Sequence, residues 1–67
     1  QTPFEYLLNY RIKKSIPLLL SDNLNITEIS ENVGFSNASY YTEIFKRVMD
    51  LSPTKYKKEK LKSISSF

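Results

Sequence analysis

The amino-acid sequence predicts an all-α fold, a small helical domain in which one long helix precedes a three-helix unit. Three observations lead there. Apolar residues recur at helical spacing: Ile26, Ile29 and Val33 stand at i, i+3 and i+7, and Tyr41, Ile44, Phe45 and Val48 repeat the stripe. The single glycine, Gly34, falls between the two stripes, where a left-handed residue ends one helix and reverses the chain. Two capping residues with an acid three positions on, Thr2 with Glu5 and Asn25 with Glu28, mark helix starts.

The first helix opens at Thr2, with Pro3 at the position where a missing N–H costs nothing. Phe4, Leu7, Leu8, Ile12, Ile16 and Leu19 share one face with Ser15, so this helix lies along a core. Arg11 sits beside that stripe and has two readings. Its stem packs over apolar surface with the guanidinium in water, or it forms an ion pair with Glu28 or Glu31. Pro17 cannot donate to the Lys13 carbonyl, so a kinked helix continuing to about Leu20 is expected, because Leu18 to Leu20 would otherwise be an exposed apolar loop. Ser21, Asp22 and Asn23 read as a polar turn.

Asn25 caps a second helix over 26 to 33, and Gly34-Phe35-Ser36-Asn37 forms the turn after it. Two helices crossing steeply there need a small residue at their contact, which Ser30 supplies, and the result is helix-turn-helix geometry. Ser36 or Asn37 caps a third helix running to 49, closed by a left-handed Asp50. Ser52-Pro53 opens a last helix over about 53 to 61 with Tyr56 inward. The expected core is Leu7, Ile12, Leu19, Ile29, Val33, Phe35, Tyr41, Ile44, Phe45, Val48 and Tyr56.

The run from Ile26 through Ile29-Ser30, Val33-Gly34-Phe35-Ser36-Asn37, Ser39-Tyr40-Tyr41 and Phe45-Lys46 to Leu51-Ser52-Pro53 and Tyr56-Lys57 resembles the second helix-turn-helix of AraC/XylS-type bacterial transcription regulators. Tyr6-Leu7, Arg11-Ile12, Ser15 and Leu18-Leu19 are similar to that family's linker helix. Ser15 and Ser30 stand where the family has alanine, Asp50 where it has glycine, Lys57 where arginine is common, and Pro17 interrupts the linker. The resemblance implies a single domain over 1–67, with a linker helix over 1–20 and the second helix-turn-helix unit over 25–62. It further implies a preceding helix-turn-helix and an effector or receiver domain in the same chain, with double-stranded DNA and RNA polymerase as partners. The chain therefore reads as a fragment of a larger regulator.

Composition agrees with a small binding domain. Ten Lys and Arg against seven Asp and Glu give +3, a mild excess that suits an anionic partner. Cysteine and histidine are both absent, which removes the usual zinc ligands and the commonest general base, so neither catalysis, a metal nor a cofactor is expected. No apolar run approaches the ~20 residues of a membrane span and no signal-peptide pattern opens the chain, so a cytoplasmic protein without a membrane partner is expected.

With Tyr41, Ile44, Phe45 and Val48 inward, a turn of ~100° per residue puts Ser39, Glu43 and Lys46 on the opposite face of the third helix, flanked by Tyr40, Thr42 and Arg47. A major groove admits one helix, whose N-terminal half then meets base edges. Asn37, Ser39, Tyr40, Thr42 and Glu43 are the base-reading candidates. Glu43 can accept from cytosine N4 or pair with Lys46 or Arg47 within the helix. The family often carries arginine at the position of Glu43. Tyr40 either meets a thymine methyl or packs on the second helix as a rim aromatic. Phosphate contacts are expected from Ser36 beside Asn37 at the positive helix end, from Lys46 and Arg47, and from Ser52, Thr54 and Lys55 at the last helix's start. The lysines at 55, 57, 58, 60 and 62 read as a charge-rich helix or frayed end, ordinarily a solvated face. The competing class is a helical protein-interaction module that uses the same fold without touching DNA, which requires a contiguous apolar patch on the third helix.

Overall fold

The computed structural model describes residues 2–21 and 23–65 and contains four helices, α1 (Pro3–Ser21), α2 (Ile26–Asn32), α3 (Ala38–Met49) and α4 (Pro53–Ser65). Among the described residues there is no strand. Each helix starts where its cap chemistry dictates. Thr2 Oγ1 accepts from Glu5 N–H at 3.1 Å, Asn25 Oδ1 from Glu28 N–H at 2.8 Å, Asn37 Oδ1 from Tyr40 N–H at 2.7 Å and Ser52 Oγ from Lys55 N–H at 3.2 Å. At Asn25 the box closes in both directions, since Glu28 accepts from the Asn25 N–H at 3.0 Å. Asn37 rather than Ser36 takes the third cap, and α4 runs four residues past its expected end.

α1 passes through Pro17 without ending. The ring is exposed, and Ser21 caps the far end from within by donating to the Leu18 carbonyl at 2.8 Å. Of the expected polar turn, Asp22 lies outside the described residues. α1 packs against α2, α3 and α4, so it is the strut to which the other three attach. The buried hydrophobic core is Leu8, Ile12, Leu19, Ile29, Phe35, Tyr41, Ile44 and Phe45, with Val33, Val48 and Tyr56 half-buried against it. Leu7 corrects the expected list: it is 39% exposed, and its neighbour Leu8 enters the core instead. The two leucines differ by one helical step, and only the Leu8 side of α1 meets α3. Phe4 likewise stands outside, 60% exposed.

Aromatic rings join the turn to α3 and α4. Phe35 meets Tyr41 edge-on at 5.4 Å between centroids, Tyr41 meets Phe45 at 5.8 Å and Phe45 meets Tyr56 at 5.5 Å. Each such pair adds about 0.5 to 1.5 kcal/mol beyond its buried area.

The two serines that stand where the resembled family has alanine are completely buried and fully satisfied. Ser15 Oγ donates to the Ile12 carbonyl and Ser30 Oγ to the Thr27 carbonyl at 2.7 Å, each within its own helix. Ser15 also accepts from the Tyr41 hydroxyl at 2.8 Å, a buried polar tie between α1 and α3. Burial pushes the Tyr41 hydroxyl above its ordinary value of 10.0, and the Ser15 hydroxyl, able to turn and donate to a phenolate, offsets part of the rise.

The sign follows from linkage. The native state holds this proton more tightly than the unfolded chain, so Tyr41's contribution is complete below pH 10 and is lost as pH climbs through the raised value. Tyr41→Phe is therefore expected to cost about 0.5 to 1.5 kcal/mol at neutral pH and to lack a component of alkaline destabilisation that reaches about 1.4 kcal/mol per pH unit in the parent. Urea titrations of both proteins from pH 8 to 11 check this, because titrations common to the two cancel in the difference. Parallel curves contradict it.

Candidate nucleic-acid interface

The turn between α2 and α3 is fixed by backbone geometry. Gly34 has φ of +94°, and behind it Gly34 N–H bonds the Glu31 carbonyl at 3.2 Å while Phe35 N–H reaches the Ser30 carbonyl at 2.9 Å. Those two bonds with a left-handed glycine between them make a Schellman motif, which satisfies the last carbonyls of α2 and turns the chain sharply. Phe35 is thereby driven into the core as the hydrophobic member of the motif.

Arg11 locks the outer side of this turn. Its Nη1 donates to the Gly34 carbonyl at 3.1 Å, and a Cβ added to Gly34 would stand 3.2 Å from Nε. Neither of the two readings offered for Arg11 named this partner: the guanidinium of α1 holds the turn itself. Glycine is favoured at position 34 by its φ, and a side chain there would also press on the Arg11 guanidinium that holds the turn.

After the turn, Asn37 caps α3 with extended backbone and Tyr41 N–H closes the first helical bond onto the Asn37 carbonyl at 3.2 Å. The earlier N–H groups of α3 have no partner a helix can give them, so they present a partial positive charge beside Ser36. Asp50 ends the helix with φ of 66°, as expected, its N–H bonded to the Lys46 carbonyl at 2.8 Å.

α3 separates its faces cleanly. Tyr41, Ile44 and Phe45 are buried, while Ser39, Glu43, Lys46 and Arg47 are exposed. Ser39, Glu43 and Lys46 form one line along the outer face. Tyr40 and Thr42 border it and are half-buried. The Tyr40 ring leans edge-on against Phe35 at 5.6 Å, so the turn supports it from beneath. Arg47 sits on the flank toward α1, lining a cleft with Glu5, Asn9 and Lys13. Asn37 is exposed with its Oδ1 committed to the cap, which leaves the amide nitrogen as its donor.

A second group lies at the start of α4, where Ser52 is half-buried and Thr54 and Lys55 are exposed, all three lining one open groove with Lys58, Glu59 and Lys62. The structure thus gathers the candidates into a line on α3 and a patch on α4. The outer face of α3 carries no contiguous apolar patch of the kind that the protein-interaction alternative requires on that helix.

A helix-turn-helix domain family model matches residues 1–59. The chain is 43% identical over 58 residues to the uncharacterized HTH-type transcriptional regulator YdeC of Bacillus subtilis, covering 87% of the chain and 20% of that protein. It is 44% identical over 55 residues to the Msm operon regulatory protein of Streptococcus mutans, covering 82% and 20%. It is also 33% identical over 55 residues to histidine kinase P4 of Formosa agariphila, covering 82% of the chain and 4% of that protein. The chain spans about a fifth of the length of the first two relatives. No solved structure matches it. No helix among the described residues is long and apolar enough to cross a membrane.

Proposed function

The chain belongs to the AraC-type helix-turn-helix family of transcription regulators, and from that premise we propose that it binds double-stranded DNA with α3 in the major groove, as the second of two reading units. The observation that carries this is the outer face of α3, polar, exposed and aimed away from an aromatic core by a turn locked from α1. Ser39, Tyr40, Thr42 and Glu43 read base edges in this arrangement, with Asn37 contributing its amide nitrogen at the groove's lip. Ser36, Lys46 and Arg47, with Ser52, Thr54 and Lys55 at α4, take phosphates on either side. The reaction class is binding without catalysis, in the cytoplasm, where bacterial DNA lies.

The N-terminal half of α1 supports the remainder of the reading. Phe4, Tyr6 and Tyr10 are 60%, 65% and 50% exposed, and with Leu7 they form an apolar surface unusual for a helix meant for water. The preceding helix-turn-helix packs there, and the effector or receiver domain lies further upstream.

Two substitutions separate the roles. Glu43→Ala is expected to change the preferred base at one position by about 1 to 3 kcal/mol, whereas Lys46→Ala weakens all sequences alike and lowers the salt slope by about 1. Selection from randomised DNA with a longer protein that carries a preceding helix-turn-helix, followed by salt titration, measures both. Recovery of the parental motif by the Glu43→Ala protein removes Glu43 from the reading face.

A further inference from the structure

The positive charge of this chain is concentrated on α4 and not on the α2–turn–α3 segment. From residue 25 to 50, Lys46 and Arg47 face Glu28, Glu31, Glu43 and Asp50, a net of −2. Between Lys55 and Lys62 stand five lysines against Glu59 alone, a net of +4, in a chain whose total is +3. The unit that reads bases therefore repels phosphate on balance, and the cations that offset this repulsion sit on α4.

α4 sorts its lysines by side. Tyr56 is half-buried with its ring against Phe45, and Lys60, though exposed, has its ammonium 5.4 Å from the centre of the Tyr56 ring. Lys55, Lys58 and Lys62 are exposed and line one groove with Ser52, Thr54 and a single acid, Glu59. Their spacing of i, i+3 and i+7 spans about 10.5 Å along the helix. One strand of duplex DNA carries a phosphate about every 3.4 Å of its axis.

We propose that the Lys55, Lys58 and Lys62 row of α4 is a second DNA contact, a sequence-independent rail along about three phosphates beside the site that α3 reads. It rests on the reading of the chain as a DNA binder and extends it to two residues, Lys58 and Lys62, that base recognition does not involve. Continuity favours DNA over an acidic protein: the row continues the groove begun by Ser52 and Thr54, to which the proposed function assigns a phosphate. Lysines suit the task because a hydrated point charge on a flexible stem follows a backbone without reading it.

The test is the salt dependence of the full chain and of its Lys55→Gln/Lys58→Gln/Lys62→Gln variant on two duplexes, one carrying the motif that a longer protein with a preceding helix-turn-helix selects from randomised DNA and one scrambled. Circular dichroism first verifies that the variant melts as the parent does. Each neutralised phosphate contributes about 0.9 to the log–log slope, so the variant's slope is expected to fall by about 2 to 3, equally on both duplexes. Lys60→Gln, on the Tyr56 side, leaves the slope at the parental value. A triple variant that binds DNA with the parental slope overturns the rail and leaves these lysines to water or an acidic protein. Failure of the parent to bind any duplex at low salt overturns the rail together with the DNA-binding reading.

Discussion

Phe45→Ala is expected to abolish cooperative folding of the chain. Phe45 is completely buried, and its ring meets Tyr41 on one side and Tyr56 on the other, so it links the α3 core to the start of α4. Removing a buried phenylalanine side chain costs about 3 to 5 kcal/mol. A 67-residue domain has roughly 3 to 10 kcal/mol in total, and at this size each 1 kcal/mol moves the melting temperature by about 4 to 8 °C. The melt is therefore expected to fall by tens of degrees or to vanish. Phe4→Ala removes the same side chain from a position 60% exposed and is expected to leave the melt within a few degrees. Far-UV circular dichroism of the two variants beside the parent measures the contrast. Equal melts would mean that the aromatic row does not hold α3 to α4.

Much of this architecture was legible in the sequence because the features that fix it are local. Caps at Thr2, Asn25 and Ser52, the glycine of the α2–α3 turn and the left-handed Asp50 are each specified by residues within one helical turn of the feature, and all appear where expected. What escaped was decided across the domain. Periodicity alone could not choose between Leu7 and Leu8, because both lie near one stripe and only the approach of α3 selects Leu8. Arg11 stood out in the sequence, but its partner is a backbone carbonyl 23 residues on, and a carbonyl has no sequence signature. The Ser15 to Tyr41 bond hid for the same reason: two residues 26 apart, each unremarkable alone, meet only once α1 lies across α3. The candidate interface divides similarly. The outer line of Ser39, Glu43 and Lys46 follows from helix geometry, whereas the flank position of Arg47 depends on where α1 packs.

The largest effect expected of all concerns the chain's affinity for DNA. One recognition helix reads about four base pairs, and the phosphates within reach of Lys46, the α3 N-terminus and α4 are few. Specific sites of high affinity generally combine two such modules one helical turn of DNA apart. Residues 1–67 supply one recognition helix, and relatives such as YdeC are about five times as long as the stretch they share with this chain. The chain alone is therefore expected to bind duplex DNA in the ~10⁻⁴ to 10⁻⁶ M range of non-specific contacts at physiological salt, and to release it steeply as salt rises. A protein carrying a preceding helix-turn-helix on the exposed Phe4, Tyr6 and Tyr10 surface is expected to reach the ~10⁻⁸ to 10⁻¹¹ M of specific sites. That gap is at least about a hundredfold. Fluorescence anisotropy with a labelled duplex bearing the motif selected by the longer protein, at two salt concentrations and against a scrambled competitor, decides it. Nanomolar, sequence-selective binding by residues 1–67 alone would establish a complete reader and remove the need for a partner unit on α1.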